Sequence, residues 1–260
     1  SRSLLALLKK ELAEYETGVI VEEFVPGADA TVAFLEGVGP DGILAPVDLV
    51  FDPSVKNRDN IHDYRLKHID PAFVQARCPA DLPRDVAARL KALSRTVTRA
   101  LGIRDMARID YRLGKDGRIY FLEVNALPAL DRGSALLAAA AHAGLHFDSA
   151  IATIVNSAAL RWKLATPEEV GVRRQPKTQP VRVGFAYNMK RIDSKDGDDA
   201  EAEYDPPETI TAITDAIASY GHAVVHLEAT ADLPRVLAEA DVDLVFNIAE
   251  GLRGRNREAQ

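Results

Sequence analysis

Residues 107–130 read ARIDYRLGKDGRIYFLEVNALPAL, and the local fold and its chemistry are both written in this stretch. Two strand-like runs, Arg108–Leu113 and Arg118–Asn125, flank Gly114-Lys115-Asp116-Gly117, a loop of the length and composition that closes β-hairpins. Period-two alternation puts Arg108 and Asp110 on one face of the first run, and Glu123 and Asn125 on one face of the second. Pairing Leu113 with Arg118 across the turn makes those faces coincide. One cation, two carboxylates and a side-chain amide then converge. Two carboxylates and an amide form an all-oxygen donor set suited to a hard divalent ion such as Mg²⁺, which completes its octahedron with waters and substrate phosphates. An arginine beside it would meet the negative charge that builds up in phosphoryl or acyl transfer. The competing reading is a solvated hairpin face. Against it stand the apolar neighbours Ile109, Tyr111, Tyr120, Phe121, Leu122 and Val124: charges on strands this apolar tend to be paired or functional.

The chain has room for one large or two ordinary domains in its 260 residues, with 47% hydrophobic and 27% charged residues, an ordinary globular mix. A net charge of -7 argues against a general binder of nucleic acid or anionic membrane, but is compatible with one nucleotide in a locally basic cleft. No apolar run approaches the ~20 residues that span a bilayer, and no signal peptide opens the chain. The single cysteine, Cys78, cannot form an internal disulfide, so a reducing cytoplasm is the default; it reads as a packed thiol rather than a nucleophile. Ser1 stands just before a helical pattern, Ser3–Tyr15, and Gln260 ends a polar run. The expectation is a piece of a longer protein.

Val19–Val21 begins an expected strand that ends near Gly27; further strands are expected at Ala30–Leu35 and Ile43–Phe51, joined by turns into an antiparallel sheet. Asp52 to Pro71 is polar and irregular, a loop or lid. Asp81 caps an expected helix that runs to Leu101 and ends at Gly102; Ser134 opens an alanine-rich helix closed by Gly144, and Phe147–Leu164 forms another. Residues 165–180, rich in proline and charge, are an expected linker. Beyond it, strands Val181–Tyr187, Ala223–Leu227 and Asp243–Ile248 alternate with helices beginning at Asp205 and Asp232. This is a βαβαβ unit with a parallel sheet, whose ligands collect at the carboxyl ends of strands, where Asn188, Asn247, Glu250 and Gly251 fall. His142 and His146 read as helix-end histidines, His222 and His226 as surface residues of one strand face, and Arg253, Arg255 and Arg257 as a solvated loop, with an anion-binding loop as the alternative.

Several separated motifs, in order, make the first 164 residues resemble the ATP-grasp ligases, most closely the D-alanine–D-alanine ligase family. Val21-Glu22-Glu23-Phe24-Val25-Pro26-Gly27-Ala28-Asp29-Ala30-Thr31-Val32 is similar to the adenine-binding hinge. The resemblance implies that Glu22, Glu23 and Val25 read adenine and Asp29 holds the ribose. Tyr64-Arg65-Leu66-Lys67 resembles the lid motif, with Lys67 touching the ATP phosphates. Arg108-Ile109-Asp110 and Glu123-Val124-Asn125 resemble the site at which Asp110, Glu123 and Asn125 hold two Mg²⁺ ions, with Mn²⁺ as a substitute, and Arg108 stabilises a tetrahedral intermediate. Ser134 falls on the substrate side. Residues 181–260 resemble the family's N-terminal domain: Val183–Asn188 is similar to its first strand, and Asn247–Gly251 to a strand end whose Glu250 faces substrate.

The implied fold is an α+β ATP-grasp portion over residues 1–164, followed after the linker by an α/β, Rossmann-like pre-ATP-grasp domain over 181–260. That reversed order implies two ligase units in tandem, with circular permutation as the alternative. The implied activity is a carboxylate–amine ligase that makes an acyl phosphate from ATP and lets an amine displace phosphate. The rival is a nucleotide- or metal-binding regulatory module without turnover. Expected partners are ATP and small amino-acid or peptide substrates, with a homodimer left open and neither nucleic acid nor membrane. Two positions depart from the family pattern, both on the amino-acid side: Ala129 follows Pro128 where the family has glycine, and His68 follows Lys67 where tyrosine is common. The family's lysine-bearing glycine-rich loop would precede Ser1, so the isolated chain is expected to bind ATP weakly and to be inactive.

Overall fold

The computed structural model describes residues 2–14, 18–55, 61, 66, 71–164, 180–191, 201 and 204–251. Strand β1 (Gly27–Leu35) lies antiparallel to β4 (Met106–Gly114) along its whole length, from Gly27 opposite Gly114 to Leu35 opposite Met106. Adding β2 (Val47–Phe51), β3 (Val74–Arg77) and β5 (Ile119–Asn125) gives a five-stranded antiparallel sheet, ordered β3-β2-β1-β4-β5. Helix α1 (Arg2–Glu14) precedes it.

Two expected strands need correction. Residues 18–26 carry no strand: Val19, Ile20 and Val21 are exposed, and a β-branched run without a neighbour to pair with stays irregular. Pairing of the third run begins only at Val47, after a lone bridge from Ile43 to Phe34, because Pro46 has no N–H for the ladder. Most of the expected lid, Lys67 included, lies outside the described residues, as do residues 165–179 of the expected linker and Arg253, Arg255 and Arg257.

The sheet has two unlike faces. Ala30, Val32, Phe34, Ala107, Ile109 and Tyr111 point to one, where α2 (Arg84–Leu101) covers them with Leu90. The Tyr111 hydroxyl and Ser94 Oγ of α2 share a buried hydrogen bond of 2.8 Å. Gly102 ends α2 in the left-handed conformation, φ 64°, which a side chain would strain. On the other face, α3 (Ala135–His142) and α4 (Phe147–Arg161) bury Ala33, Leu35, Val47 and Met106 at one end of the sheet. They leave open the other end, where alternation places Asp29, Thr31, Arg108, Asp110 and Arg112. Ion pairs fasten the C-terminal end of α4 to the start of β4, at the covered end of the sheet: Arg161 Nη1 and Nη2 lie 2.6 and 2.8 Å from the Asp105 carboxylate.

The C-terminal part forms a three-stranded parallel sheet in which β6 (Arg182–Tyr187) lies between β7 (Ala223–Glu228) and β8 (Leu244–Asn247), with α5 (Pro207–Ser219) and α6 (Leu233–Glu239) as crossovers. Val183, Phe185, Ile210, Ile213, Ile217 and Phe246 belong to the same apolar cluster as Leu136, Ile151 and Val155, so α4 and α5 join the two sheets through one core. His222, expected at a surface, is instead buried at 5% exposure, with its Nδ1 accepting from Val181 N at 3.4 Å. The side chain precedes β7 and closes the end of the sheet. Among the described residues no single helix is long and apolar enough to cross a membrane; α3 and α4, apolar together, turn through 98° between them.

Candidate active site

The hairpin closes differently from the simple expectation. Gly114 N donates to Arg118 O at 2.9 Å and Gly117 N to Gly114 O at 2.9 Å, so the Arg118 carbonyl is spent on the turn and Leu113 pairs with Ile119 rather than Arg118. Arg112 then faces Tyr120, and Tyr111 faces Phe121; but Asp110 faces Glu123, Ile109 faces Val124 and Arg108 faces Asn125. One residue, Leu122, is left over as a β-bulge. A one-residue shift exchanges the two faces of a strand, and here it serves both. Ile119 and Val124 pack with the α2-side core on either side of the bulge, while Glu123 and Asn125 arrive on the face of Arg108 and Asp110. The expected convergence is therefore present, reached through a bulge instead of unbroken alternation. Ile119 and Phe121, which alternation would have put on the polar face, point to the other; the Phe121 ring meets Tyr111 edge-on at 6.1 Å.

Asp110 is held from two sides. Arg108 Nε lies 3.0 and 3.1 Å from its carboxylate oxygens and Arg108 Nη2 2.9 Å from Oδ2, while Thr31 Oγ1, on the β1 residue paired with Asp110, donates to Oδ1 at 2.5 Å. Such charge-assisted bonds fix the carboxylate's orientation. Asn125 Oδ1 accepts from Leu127 N at 2.9 Å, an Asx turn that fixes its amide while the carbonyl keeps a second lone pair. Glu123, directly across from Asp110, is exposed. Two carboxylates and an oriented amide carbonyl on one solvent-open patch are hard oxygen donors of the kind Mg²⁺ takes, so the residues present fit such an ion.

The expected hinge is tied to the same strand. Arg112, 5% exposed, donates from Nε to Val25 O at 2.9 Å and from Nη1 to Asp29 Oδ1 at 2.8 Å, and its guanidinium lies 5.5 Å from the centre of the Phe24 ring. Glu22 and Glu23 are exposed. Lys67 lies outside the described residues; Leu66 beside it is buried. Ser134 caps α3, accepting weakly from Leu137 N at 3.5 Å, with its own N–H on Asp131 O. Glu250 follows β8, and its N–H donates to Asn188 Oδ1 at 2.8 Å; Asn188, buried at the end of β6, also donates to Ala229 O beyond β7. One amide thus staples the carboxyl ends of all three parallel strands. Near this staple the Asp205 carboxyl is pushed up to about 7, first by burial and then by the negative charges of Glu250 and Asp131. Ser134's loop and Glu250 thereby meet at the junction of the two sheets. Thr31, Arg112, Asn188 and Asp205 were not singled out for these contacts from the sequence. The available signal was phase: Arg112 stands two residues from Asp110, and Thr31 shares a phase with Asp29.

A five-stranded antiparallel α+β layer with this hairpin at its open end is an ATP-grasp-like fold. The family model described as "D-ala D-ala ligase C-terminus" matches residues 1–156, well over half of the chain, and the chain belongs to that family. D-alanine–D-alanine ligase A of Mesorhizobium japonicum is 31% identical over 153 residues, covering 56% of this chain and 40% of the relative. D-alanine–D-alanine ligase of Aquifex aeolicus is 33% identical over 138 residues, covering 53% and 43%. Among solved structures, D-alanine–D-alanine ligase from Bacillus anthracis aligns with a TM-score of 0.47 at 24% identity, covering 62% of this chain and 49% of that one. The chain thus spans under half the length of these relatives.

Proposed function

We propose that this chain carries the ATP- and Mg²⁺-binding half of a ligase that joins a carboxylate to an amine through an acyl phosphate, with amino acids or small peptides as substrates. The observation that carries the proposal is the bulged hairpin, whose two strands direct Asp110, Glu123, Asn125 and Arg108 to one patch at the open end of the sheet. Family membership and relatives named D-alanine–D-alanine ligase support the reaction class.

In this reading Asp110, Glu123 and the Asn125 carbonyl would hold Mg²⁺, which when bound screens the charge of the transferring phosphoryl group. Thr31 keeps the Asp110 carboxylate turned to the patch. Arg108 stands beside it to meet the oxyanion formed as the amine attacks. Val25, Glu22 and Glu23 would read adenine, Asp29 would hold the ribose and Lys67 would touch the phosphates, as the resemblance implies. Ser134 lies on the amino-acid side of this unit, Glu250 would face substrate in the second unit, and Ala129, in place of the family's glycine, leaves the amino acid open. Residues 181–260 are the N-terminal α/β domain of a second unit; their strand order and the Asn188 staple support this. In this reading the ligase works in the cytoplasm, where its single cysteine in these residues, Cys78, would stay a free thiol.

The rival, a module that binds nucleotide without turnover, draws on the Arg108 guanidinium, which already neutralises Asp110. One experiment separates them: phosphate release from ATP by the full protein, with Mg²⁺, over a panel of D- and L-amino acids. Stimulation by one amino acid, lost in Asp110→Asn and Glu123→Gln variants that still fold, is the expected result. Unaltered rates in both variants would remove the metal assignment, and silence across the panel with retained ATP binding would favour the module.

A further inference from the structure

Strand β4 does more than display Asp110. Its next residue in phase, Arg112, is buried on the same face and reaches away from the hairpin into the irregular segment before β1. There it holds the Val25 carbonyl and the face of Phe24, and on β1 itself it holds the carboxylate of its cross-strand neighbour Asp29. Two further contacts tie this segment to β4 and its turn. Lys115 N donates to Pro26 O at 3.0 Å, and Gly27 lies so close to β4 that an added Cβ would sit 1.8 Å from Leu113 O. Residues 18–26 have no strand pairing of their own, so these contacts set where the Val25 backbone stands.

We infer that Arg112 is a positioning residue that locks the nucleotide-reading segment, Phe24 to Asp29, in register with the Asp110 patch two residues along the same strand. The inference rests on the functional reading above. A guanidinium suits the task because its planar fork serves a carbonyl and a carboxylate at once and stacks on a ring, which an ammonium cannot do together. Asp29 is thereby held at Oδ1, with its other oxygen left to face a ribose hydroxyl.

The test compares the full protein with its Arg112→Met and Arg112→Lys variants. First, without nucleotide, amide exchange over residues 18–27 should speed up by about tenfold in Arg112→Met, the loss of bonds to a charged donor, and by less in Arg112→Lys. Second, KM for ATP should rise by more than kcat falls, and preference for ATP over GTP should weaken, because the Val25 backbone is no longer fixed. Arg112→Lys, which keeps the charge opposite Asp29, should be intermediate and covers the case in which Arg112→Met does not fold. A lowered melting temperature with unchanged exchange in this segment and an unchanged ATP/GTP ratio would overturn the inference and leave the ligase reading standing. A wild-type protein that binds no ATP would overturn the ligase reading and this inference with it.

Discussion

Replacing Asp205 by asparagine should stabilise the protein at pH 8 and do much less at pH 5. The side chain is half-buried beside Glu250 and Asp131, and its carboxyl titrates at about 7 in the fold against about 3.9 in an unfolded chain. A raised carboxyl pKa contributes stability that is fully present below about 3.9 and is lost as pH rises through about 7. The gap of about three pH units, at about 1.4 kcal/mol each, is on the order of 4 kcal/mol between the limits. Part of that loss has already occurred by pH 5, so the gain from Asp205→Asn should be on the order of 2–3 kcal/mol larger at pH 8 than at pH 5. The backbone bonds of residue 205, from its N–H to Asn188 O and from Lys190 N to its carbonyl, survive the substitution. Urea unfolding at both pH values measures the difference directly. Equal effects at the two pH values, or a wild-type protein more stable than the variant at pH 8, would refute the reasoning. Glu250→Gln should reproduce part of the gain, since repulsion is the lesser cause.

Deleting Leu122, 53% exposed, should leave both faces of β5 in phase and cost roughly 1 kcal/mol or less in thermal unfolding, whereas inserting an alanine after it should drive Glu123 and Asn125 toward α2 and cost several kcal/mol; an insertion as harmless as the deletion would dispose of the bulge. Tyr111→Phe leaves the buried Ser94 hydroxyl without its 2.8 Å partner and should cost about 1–2 kcal/mol, most of it recovered when Ser94→Ala is added; no recovery in the double variant would show the bond to be incidental. Burial lowers the pKa of His222. Its contribution is present above the ordinary histidine value, about 6.5, and lost as pH falls through the lowered one, so His222→Gln should flatten the acid limb of a melting-temperature profile, and an unchanged limb would count against it.

The hairpin was legible because its apolar residues bracket the turn and leave four polar ones in register. What alternation missed is visible afterwards in the same letters. Ile119 and Val124 both pack on the α2-side core, yet one is odd-numbered and the other even, a change of phase that only an extra residue accommodates. The strand expected at Val19–Val21 shows that β-branched composition without a pairing partner does not make a ladder. Strand β3 escaped notice because Val74-Gln75-Ala76-Arg77 is short and barely apolar. Arg112 and Asp205 escaped for another reason. A lone charge in a sequence looks solvated, and only the distant segment that closes over it, 83 residues away for Asp29, makes it structural.

Helix α4 bears alanine at positions 150, 152 and 159, all buried, together with Ile151, Ile154 and Val155. With α3 and the antiparallel sheet on one side and α5 on the other, it is a common wall, opened to solvent near its N-terminal turn by a cleft between Asp148 and the side of α5 that bears Glu208 and Asp215. Sliding one sheet past the other would mean unpacking that wall. The junction at which the charges of Glu250 and Asp131 reach the Asp205 carboxyl is therefore held at a fixed width by that wall.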